Sequence, residues 1–511
     1  MIATTNSATL SGITGIDVTV EVDSSRGLPG FNVIGLGDIA VREAADRVRS
    51  ALINANIDYP KGKITVNLVP AWVRKKGTHY DLAIAVGVLI AEGHIEQSTV
   101  EGKAFIGELS LKGELIPVKG VLPMITGLKG KVNEVYLPVE NCKEGYLAAR
   151  SLGIKTVAVE DFSQLVDMLN GNNIVSYYEY NETESELELE NEILDFSDVK
   201  GHWAAKEAIV TAISGGHGLL FIGSPGTGKT LLAKRIPTIL PEMTPEEQLE
   251  TSMIYSLVGG LTTERPIIDK RPFRQINKRA TEVTILGGGT EPLPGEISLA
   301  NNGVLFMDEL LEFSRAQIET LRKPMEEKSI TIIRKGEAYT FPAKFVFIAA
   351  TNPCKCGYYG DGSKPCTCTQ TEIDKYRNRL SGPLCERIDM CIEIPRIDYK
   401  NLTGKNSMSS KEMRERVVRA REIQKERFKG SGILTNSEMK ESMIKEFCYL
   451  GIDETEFMKR AYTKYNLSPR RYHKVLKLAR TIADVEGKKE IDIPSLSGAM
   501  SFTRFLNGSD E

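Results

Sequence analysis

Eight consecutive residues, Gly223 to Thr230, have the types and spacing that bind nucleotide phosphates. Glycines let backbone N–H groups curl around phosphate oxygens, Lys229 neutralises the β and γ phosphates, and the Thr230 hydroxyl is suited to Mg²⁺. An apolar stretch before the loop and helix-forming residues after it predict a strand–loop–helix unit. We therefore predict a nucleotide site that is formed by Gly223, Ser224, Pro225, Gly226, Thr227, Gly228, Lys229 and Thr230.

A second apolar stretch, 303–307, ends in the acidic pair Asp308 and Glu309. An aspartate at the end of such a strand completes the Mg²⁺ shell, and the glutamate after it polarises the attacking water. The pair also suits the start of a helix, because apolar side chains recur with helical spacing after it. Both interpretations hold together where a strand meets a helix. The two motifs predict hydrolysis of the bound nucleotide.

A third apolar stretch, 345–350, is followed by Asn352 and by four cysteines in two Cys-x-Cys pairs. An asparagine at the carboxyl end of a neighbouring strand can orient water against the γ-phosphate. Four thiolates suit tetrahedral zinc, although zinc sites usually have two or more residues between paired cysteines. A structural zinc site, four reduced thiols and a redox switch all remain open. The four residues are Cys354, Cys356, Cys366 and Cys368.

The elements that position these residues belong to a chain of 511 residues, a length that predicts roughly two to four domains. The net charge of −3 excludes a globally basic protein, so any nucleic-acid surface must be local. No secretory signal is recognisable, and the longest apolar run, 82–91, is too short to span a bilayer. We therefore expect a cytoplasmic protein with reduced thiols and no membrane partner.

Changes of pattern along the chain predict three domains and a linker. Residues 1–175 alternate short strand-like and helical stretches, which is typical of an α+β domain. Residues 176–194 are acidic and lack glycine and proline, which predicts a solvated linker, with an exposed helix face as the alternative. Residues 195–398 have the buried strands and glycine loops of an α/β domain, and residues 399–511 become helical and basic.

The phosphate loop, the acidic pair and the "AATN" strand end resemble the AAA+ ATPases, which work as rings, usually hexamers. This resemblance implies an AAA+ core with a C-terminal helical lid, and it makes Asn352 a sensor of the γ-phosphate. Arg387 in "GPLCERIDM" resembles the arginine finger that enters the neighbouring subunit's site, with a surface salt bridge to Glu386 or Asp389 as the alternative. Arg470, just after the helix start predicted by "LSPRR", resembles the second sensor.

The long interval between Lys229 and Asp308 resembles the insert-bearing AAA+ branch of magnesium chelatases and minichromosome maintenance helicases. In that branch a hairpin before the sensor strand faces the ring pore. Residues 327–348 predict such a hairpin, with a Lys-Gly turn near its tip. Arg334 and Lys335 are then candidate contacts to DNA phosphates, and an ordinary solvated hairpin is the alternative.

Residues 1–175 resemble the Lon-protease-like domain, a fold related to S5 domain 2, in the stretches 26–52, 64–89 and 105–125. Lon chemistry needs a serine nucleophile and a lysine base within reach of each other. The aligned positions carry His79 and Leu122 instead. We therefore predict that this domain is not a protease.

The whole chain resembles the magnesium-chelatase-like YifB/ComM family. The resemblance implies a hexameric DNA helicase that uses ATP and Mg²⁺, acts on single-stranded or branched DNA, and drives branch migration during natural transformation. The alternatives are a remodelling ATPase that acts on a protein partner, as in magnesium chelatase, and a nucleotide-gated scaffold with slow turnover. One departure is that Ile276, Asn277 and Lys278 stand where the family usually reads Pro-His-His.

Overall fold

The computed structural model describes residues 2–179, 194–362, 364–380, 382–397 and 407–503. The predicted acidic linker lies mostly outside these ranges, and so does the predicted boundary at 398–399. Packing divides the chain into two compact units, the first being Met1–Glu188 with Pro245–Asp269 and Ile333–Thr340. Residues 245–269 and 333–340, which we predicted to belong to the ATPase core, are therefore part of the same compact unit as the N-terminal residues. The domain boundaries proposed from the sequence stay predictions.

The first unit is built on a mixed seven-stranded sheet in the order β3-β4-β2-β1-β5-β8-β9. Alternate residues of β4, such as Ile64 and Val66, are buried, as expected for a strand with one face on a core. The nine strands are β1 (Ile2–Ser11), β2 (Thr14–Ser25), β3 (Gly30–Ile34), β4 (Lys63–Val69), β5 (Lys103–Phe105), β6 (Glu108–Leu109), β7 (Leu115–Ile116), β8 (Glu134–Pro138) and β9 (Lys155–Val159). The predicted α+β character of this region is confirmed.

Helices cover this sheet, and the apolar run noted in the sequence forms the helix Asp81–Ala91, which packs on β1 and β2. Its ten residues from Asp81 to Ile90 are all buried, which explains its uniform apolar character. The other helices of the unit are Ile39–Arg42, Ala44–Asn54, Val121–Gly127, Val139–Leu152, Phe162–Leu169 and Pro245–Val258.

The second unit contains a parallel five-stranded sheet in the order β11-β14-β17-β10-β18. Its inner strands are continuous apolar runs because both faces are covered. The strands in this half of the sequence are β10 (Leu219–Ile222), β11 (Phe273–Ile276), β12 (Gly287–Gly288), β13 (Leu293–Pro294), β14 (Gly303–Met307), β15 (Ser329–Arg334), β16 (Glu337–Pro342), β17 (Phe345–Thr351) and β18 (Met390–Glu393). Carboxyl ends of neighbouring parallel strands share one edge, which brings the predicted motifs together.

The helices of the second unit include the predicted C-terminal helical region. Ser468 caps the helix Pro469–Val485 by accepting from the backbone N–H of Arg471 at 3.4 Å, as the sequence predicted. None of the helices in the described ranges combines the length and apolarity that a membrane crossing requires. The helices are Trp203–Gly215, Lys229–Arg235, Glu282–Leu286, Glu296–Leu299, Arg315–Thr320, Arg322–Glu327, Gln370–Arg377, Gly382–Cys385, Ser410–Arg427, Glu441–Phe447, Ile452–Lys464, Pro469–Val485 and Ile493–Thr503.

Candidate nucleotide site

The loop between β10 and the following helix folds back on itself to form a cradle. Gly226 and Gly228 take positive φ angles of 80° and 87°, a region that side chains other than glycine rarely adopt. The Lys229 ammonium points into the loop and donates to the carbonyl oxygens of Gly223 at 2.6 Å and Ser224 at 2.9 Å. Burial lowers the pKa of this lysine. The cation thus lies where the sequence predicted that phosphate oxygens bind.

Thr230 and Asp308 meet although they lie far apart in the sequence. The Thr230 hydroxyl donates to the Asp308 carboxylate at 2.7 Å, because β10 and β14 flank β17 in the sheet. A hydroxyl and a carboxylate side by side are the hard oxygen ligands that Mg²⁺ takes in nucleotide sites. The two predicted metal ligands therefore fit the ion.

Asn352, which follows β17, reaches the same cradle. Its side-chain oxygen accepts a hydrogen bond from the Lys229 ammonium at 3.3 Å. Ile222 pairs with Thr351 in the parallel register, so the sensor position and the phosphate loop leave the sheet side by side. The structure thus brings Lys229, Thr230, Asp308 and Asn352 into one site.

Glu309 follows Asp308 at the same edge, and its carboxylate contacts a side chain that follows β11. It forms an ion pair with the Lys278 ammonium, and that hydrogen bond raises the pKa of Lys278. The backbone of Glu309 is left-handed, with φ at 51°. Lys278 is one of the three residues that replace the family's usual Pro-His-His. Its partner could not be predicted from the sequence, because the pairing of β11 with β14 was not known.

His202 borders the phosphate loop, since a Cβ added to Gly228 would lie 3.5 Å from its Nε2. It precedes the helix Trp203–Gly215 with a φ of 53°. Burial lowers the pKa of its imidazole, which is also hydrogen-bonded to the backbone of Thr227. His202 therefore lies beside the loop.

Arg387 and Arg470 each form an ion pair with a glutamate, Glu326 and Glu386 respectively. Arg387 is 13% exposed and pairs with Glu326, not with the two residues weighed from the sequence. One of those, Glu386, pairs with Arg470 at 2.9 Å. The hydrogen bond from Arg387 lowers the pKa of Glu326, and the charge of Arg470 adds to the effect. The two arginines that the AAA+ resemblance selected are therefore neighbours.

Lys474 fixes the segment that carries Arg387, a role that sequence reasoning missed. Its ammonium donates to the carbonyl oxygens of Glu386 and Ile388, each at 2.8 Å, and lies 3.6 Å from the Asp389 carboxylate. Lys474 sits one turn beyond Arg470 on the helix Pro469–Val485. A basic residue at this spacing is common on helix surfaces, so the sequence held no signal that separates it from a solvated lysine.

The four cysteines form a compact cluster after β17. All four sulfurs lie within 4.8 Å of one another, and those of Cys354 and Cys356 are 3.3 Å apart. Hydrogen bonds from the backbone of Tyr358 and Thr367 lower the pKa of Cys356 to about 5. Four thiols at these separations fit the donor set of a tetrahedral zinc site, whose Zn–S bonds are about 2.3 Å long.

The cysteine loop touches the phosphate loop. A Cβ on Gly357 would come within 2.7 Å of the Pro225 side chain, so only glycine fits this approach. On its other side, Arg377 donates to the Pro353 carbonyl at 3.3 Å from the helix Gln370–Arg377. The cluster thus connects the strand that precedes Asn352 to the helix that precedes the Arg387 segment.

The predicted hairpin is formed by β15 and β16, with its turn at Lys335 and Gly336. These two residues take positive φ angles of 51° and 82°, as a tight two-residue hairpin turn requires. Arg334 and Lys335 are both exposed at the tip. The two candidate DNA contacts are therefore available to a partner.

Comparison with known proteins shows which family has this arrangement. Profiles for "Magnesium chelatase, subunit ChlI", "Subunit ChlI of Mg-chelatase" and "Magnesium chelatase, subunit ChlI C-terminal" match residues 195–402, 20–141 and 407–503. Competence protein ComM of Haemophilus influenzae is 40% identical over 95% of this chain and 94% of its own length. The chain belongs to the magnesium-chelatase-like ComM/YifB family.

YifB of Escherichia coli is 37% identical over 96% of the chain and 95% of its own length. The magnesium-chelatase 67 kDa subunit of Chlorobaculum parvum is 26% identical over 32% of the chain and 24% of its own length. Membership of the ComM/YifB family makes the chain an AAA+ ATPase, for which ATP and Mg²⁺ are the implied ligands. The resemblance stated from the sequence is confirmed.

The Lon-like positions of this ComM/YifB-family chain are both buried. His79 donates to the Ala8 carbonyl at 2.9 Å, and burial lowers its pKa to about 4. Leu122 is fully buried in the core of the first unit. A hydrogen-bonded core histidine and a core leucine stand at these two positions, and the lack of protease activity stays a prediction.

Proposed function

We propose that this chain is a ring-forming ATPase that moves DNA strands, and that it drives branch migration when incoming DNA is recombined. The observation that supports the motor most is the convergence of Lys229, Thr230, Asp308 and Asn352 at one sheet edge. The DNA substrate is supported by the exposed cations of the hairpin tip and by the competence protein among the similar chains.

Each residue of the site has a distinct part in hydrolysis. The loop amides and Lys229 bind the phosphates, while Thr230 and Asp308 hold Mg²⁺, which supplies charge neutralisation when it is bound. Glu309 accepts a proton from the attacking water, and Asn352 orients that water against the γ-phosphate. Because the donors are fixed before the reaction, little reorganisation is needed as charge develops.

Arg387 completes the site of the next subunit in the ring, which we propose to be a hexamer. To do so its guanidinium exchanges Glu326 for the γ-phosphate of the neighbour, where it stabilises the developing charge. Arg470 acts beside it as the second sensor. Both arginines act on Glu326, which favours concerted movement of the two.

The four-cysteine cluster holds a structural zinc ion in this proposal. The spacing of its sulfurs supports zinc over a redox switch, because all four thiols converge rather than pairing in twos. Its role is to fix the loop that lies between the sensor strand and the Arg387 segment.

A remodelling ATPase that acts on a protein partner is the second candidate, favoured by the match to the magnesium-chelatase 67 kDa subunit. The two candidates differ in their response to DNA. We expect single-stranded and forked DNA to stimulate ATP hydrolysis several-fold at low salt, with Lys229→Ala as the inactive control. A rate that is the same with and without DNA would favour the protein partner.

A further inference from the structure

We infer that His217 is a positioning residue whose imidazole joins the helix Pro469–Val485 to the segment that carries Arg387, and so sets where that arginine lies. This role rests on the proposed action of Arg387 in the neighbouring subunit's site. His217 follows the helix Trp203–Gly215 and comes just before β10, the strand that leads into the phosphate loop. The proposed function assigns it no part.

The imidazole of His217 is buried between two polar partners. The residue is 1% exposed. Its Nδ1 lies 3.3 Å from the Asp389 carboxylate, and its Nε2 lies 2.8 Å from the Thr481 hydroxyl. An ionised carboxylate only accepts hydrogen bonds, so Nδ1 carries a proton and donates it to Asp389. Both ring nitrogens are therefore engaged, and the ring bridges two segments that are distant in the sequence.

Asp389 connects the bridge to the backbone that carries Arg387. Its N–H donates to the Gly218 carbonyl at 3.0 Å, and the Gly218 N–H donates to its carboxylate at 3.3 Å. Burial alone would raise the pKa of Asp389, but the hydrogen bond from His217 and the charge of Lys474 hold it well below its usual range. Asp389 thus stays ionised, and it lies only two residues after Arg387.

Thr481 anchors the other end of the bridge in the helix Pro469–Val485, where it is fully buried. Its hydroxyl accepts from the Asn436 side chain at 3.1 Å and lies 3.0 Å from the Lys477 carbonyl oxygen, one turn earlier in the helix. The hydroxyl is therefore held by its own helix and by a neighbouring segment. Arg470 lies on the same helix, so the bridge connects the two arginines by a route separate from Lys474.

Two glycines before His217 make room for this bridge. A Cβ on Gly215 would lie 2.3 Å from the His217 Nε2 and 2.6 Å from the Thr481 hydroxyl oxygen. A Cβ on Gly216 would lie 2.8 Å from the Thr435 hydroxyl oxygen. Side chains at these two positions would separate the C-terminal helices from the ring. The close packing suits a contact that keeps a fixed distance between two elements.

The test is a complementation between two chains that each lack ATP hydrolysis. Lys229→Ala has no working phosphate loop but offers Arg387, and Arg387→Ala offers an intact loop, so their mixture should recover part of the ATPase rate. His217→Gln in the Lys229→Ala chain should lower this recovery at least about tenfold, because a small misplacement of a group that acts on the transition state is costly. The same change in the Arg387→Ala chain should leave the recovery unchanged. His94→Gln, which alters an exposed histidine, is the control in both chains.

Two changes in the otherwise original chain separate the ends of the bridge. His217→Asn keeps a donor for Asp389 but does not reach Thr481, and Thr481→Val removes the hydroxyl while keeping the shape of the side chain. Each should lower kcat several-fold with KM for ATP unchanged, and the double variant should lose no more than either alone. Thr463→Val, which removes an exposed hydroxyl of the helix Ile452–Lys464, should keep the original rate.

The outcomes separate the role of His217 from the function on which it rests. If the mixture of Lys229→Ala and Arg387→Ala recovers no activity, Arg387 does not act between chains, and both the proposed ring chemistry and the role of His217 are wrong. If the mixture recovers activity but His217→Gln has no effect, or the same effect in either chain, His217 only supports packing and the proposed function stands. Thermal unfolding of each chain is measured alongside. If His217→Gln does not fold, Thr481→Val placed in the same two chains gives the same comparison, with the same results for and against.

Discussion

At the scale of single residues, Lys229 is the side chain on which the nucleotide site depends most. Its ammonium lies within hydrogen-bond distance of two loop carbonyls and of Asn352. When phosphate oxygens enter, these contacts give way to a cation–anion pair in a partly buried place, where charge is weakly screened.

We predict that Lys229→Ala lowers ATP hydrolysis at least about 100-fold, the loss expected when one preorganised donor to developing charge is removed. Phosphate release at saturating ATP is the measurement. Lys234→Ala, which removes an exposed lysine of the same helix, should keep the original rate. Turnover that survives Lys229→Ala would place the active site elsewhere.

The sequence predicted these contacts well because each lies within a motif or follows directly from one. The phosphate-loop glycines, the acid at the end of one strand and the asparagine at the end of another each lie in a short motif. The local sequence of such a motif determines its backbone conformation. The partner of Lys278 could not be predicted, because it depends on β11 pairing with β14, and strand order is not encoded in local pattern. The partner of Arg387 was missed for a similar reason, since Glu326 lies on the helix Arg322–Glu327, which is distant in the sequence.

At the scale of elements, the helix Pro469–Val485 contacts the segment that carries Arg387 through Lys474 and through the Arg470–Glu386 ion pair. Lys474 donates to two carbonyl oxygens of that segment and lies near Asp389. The helix and this segment are therefore connected by direct hydrogen bonds. Arg470 lies on the same helix, so both arginines respond together.

We predict that Lys474→Ala lowers kcat several-fold and leaves nucleotide affinity unchanged, because Arg387 loses its support while the phosphate loop is untouched. Loss of hydrogen bonds from a charged donor should also cost about 1.5–3 kcal/mol of unfolding free energy. Lys477→Ala is the control, since that lysine of the same helix donates to Ser437. If both variants lose kcat equally, the effect is one of helix stability.

The cysteine cluster is a second element that links two parts of the site. We predict about one zinc per chain in protein purified without added metal, and loss of that zinc when Cys366 and Cys368 are both changed to serine. Chelation should lower thermal stability and ATPase rate together, since the loop packs on Pro225 through Gly357. The Cys385→Ser variant, which is changed outside the cluster, should retain its zinc. Less than one zinc per several chains would leave the cluster as free thiols.

At the scale of the whole molecule, the proposed ring places Lys229 and Arg387 of one chain in different active sites. A chain with Lys229→Ala still offers its Arg387 to a neighbour, and a chain with Arg387→Ala still has its own phosphate loop. Mixing the two inactive variants should therefore restore part of the ATPase rate. We expect recovery only when the variants assemble in the same ring, which can be followed by phosphate release after mixing. A mixture as inactive as its parts would show that Arg387 acts within its own chain or supports the fold.

The measurement that tests the central proposal most directly is a branch-migration assay with the full chain. A labelled strand within a branched DNA substrate is followed after addition of ATP and Mg²⁺, alongside ATP hydrolysis on the same DNA. We predict that the strand is displaced, that hydrolysis rises several-fold, and that Glu309→Gln abolishes both. If hydrolysis proceeds at one rate with or without DNA at low salt and no strand moves, the chain is not a DNA motor.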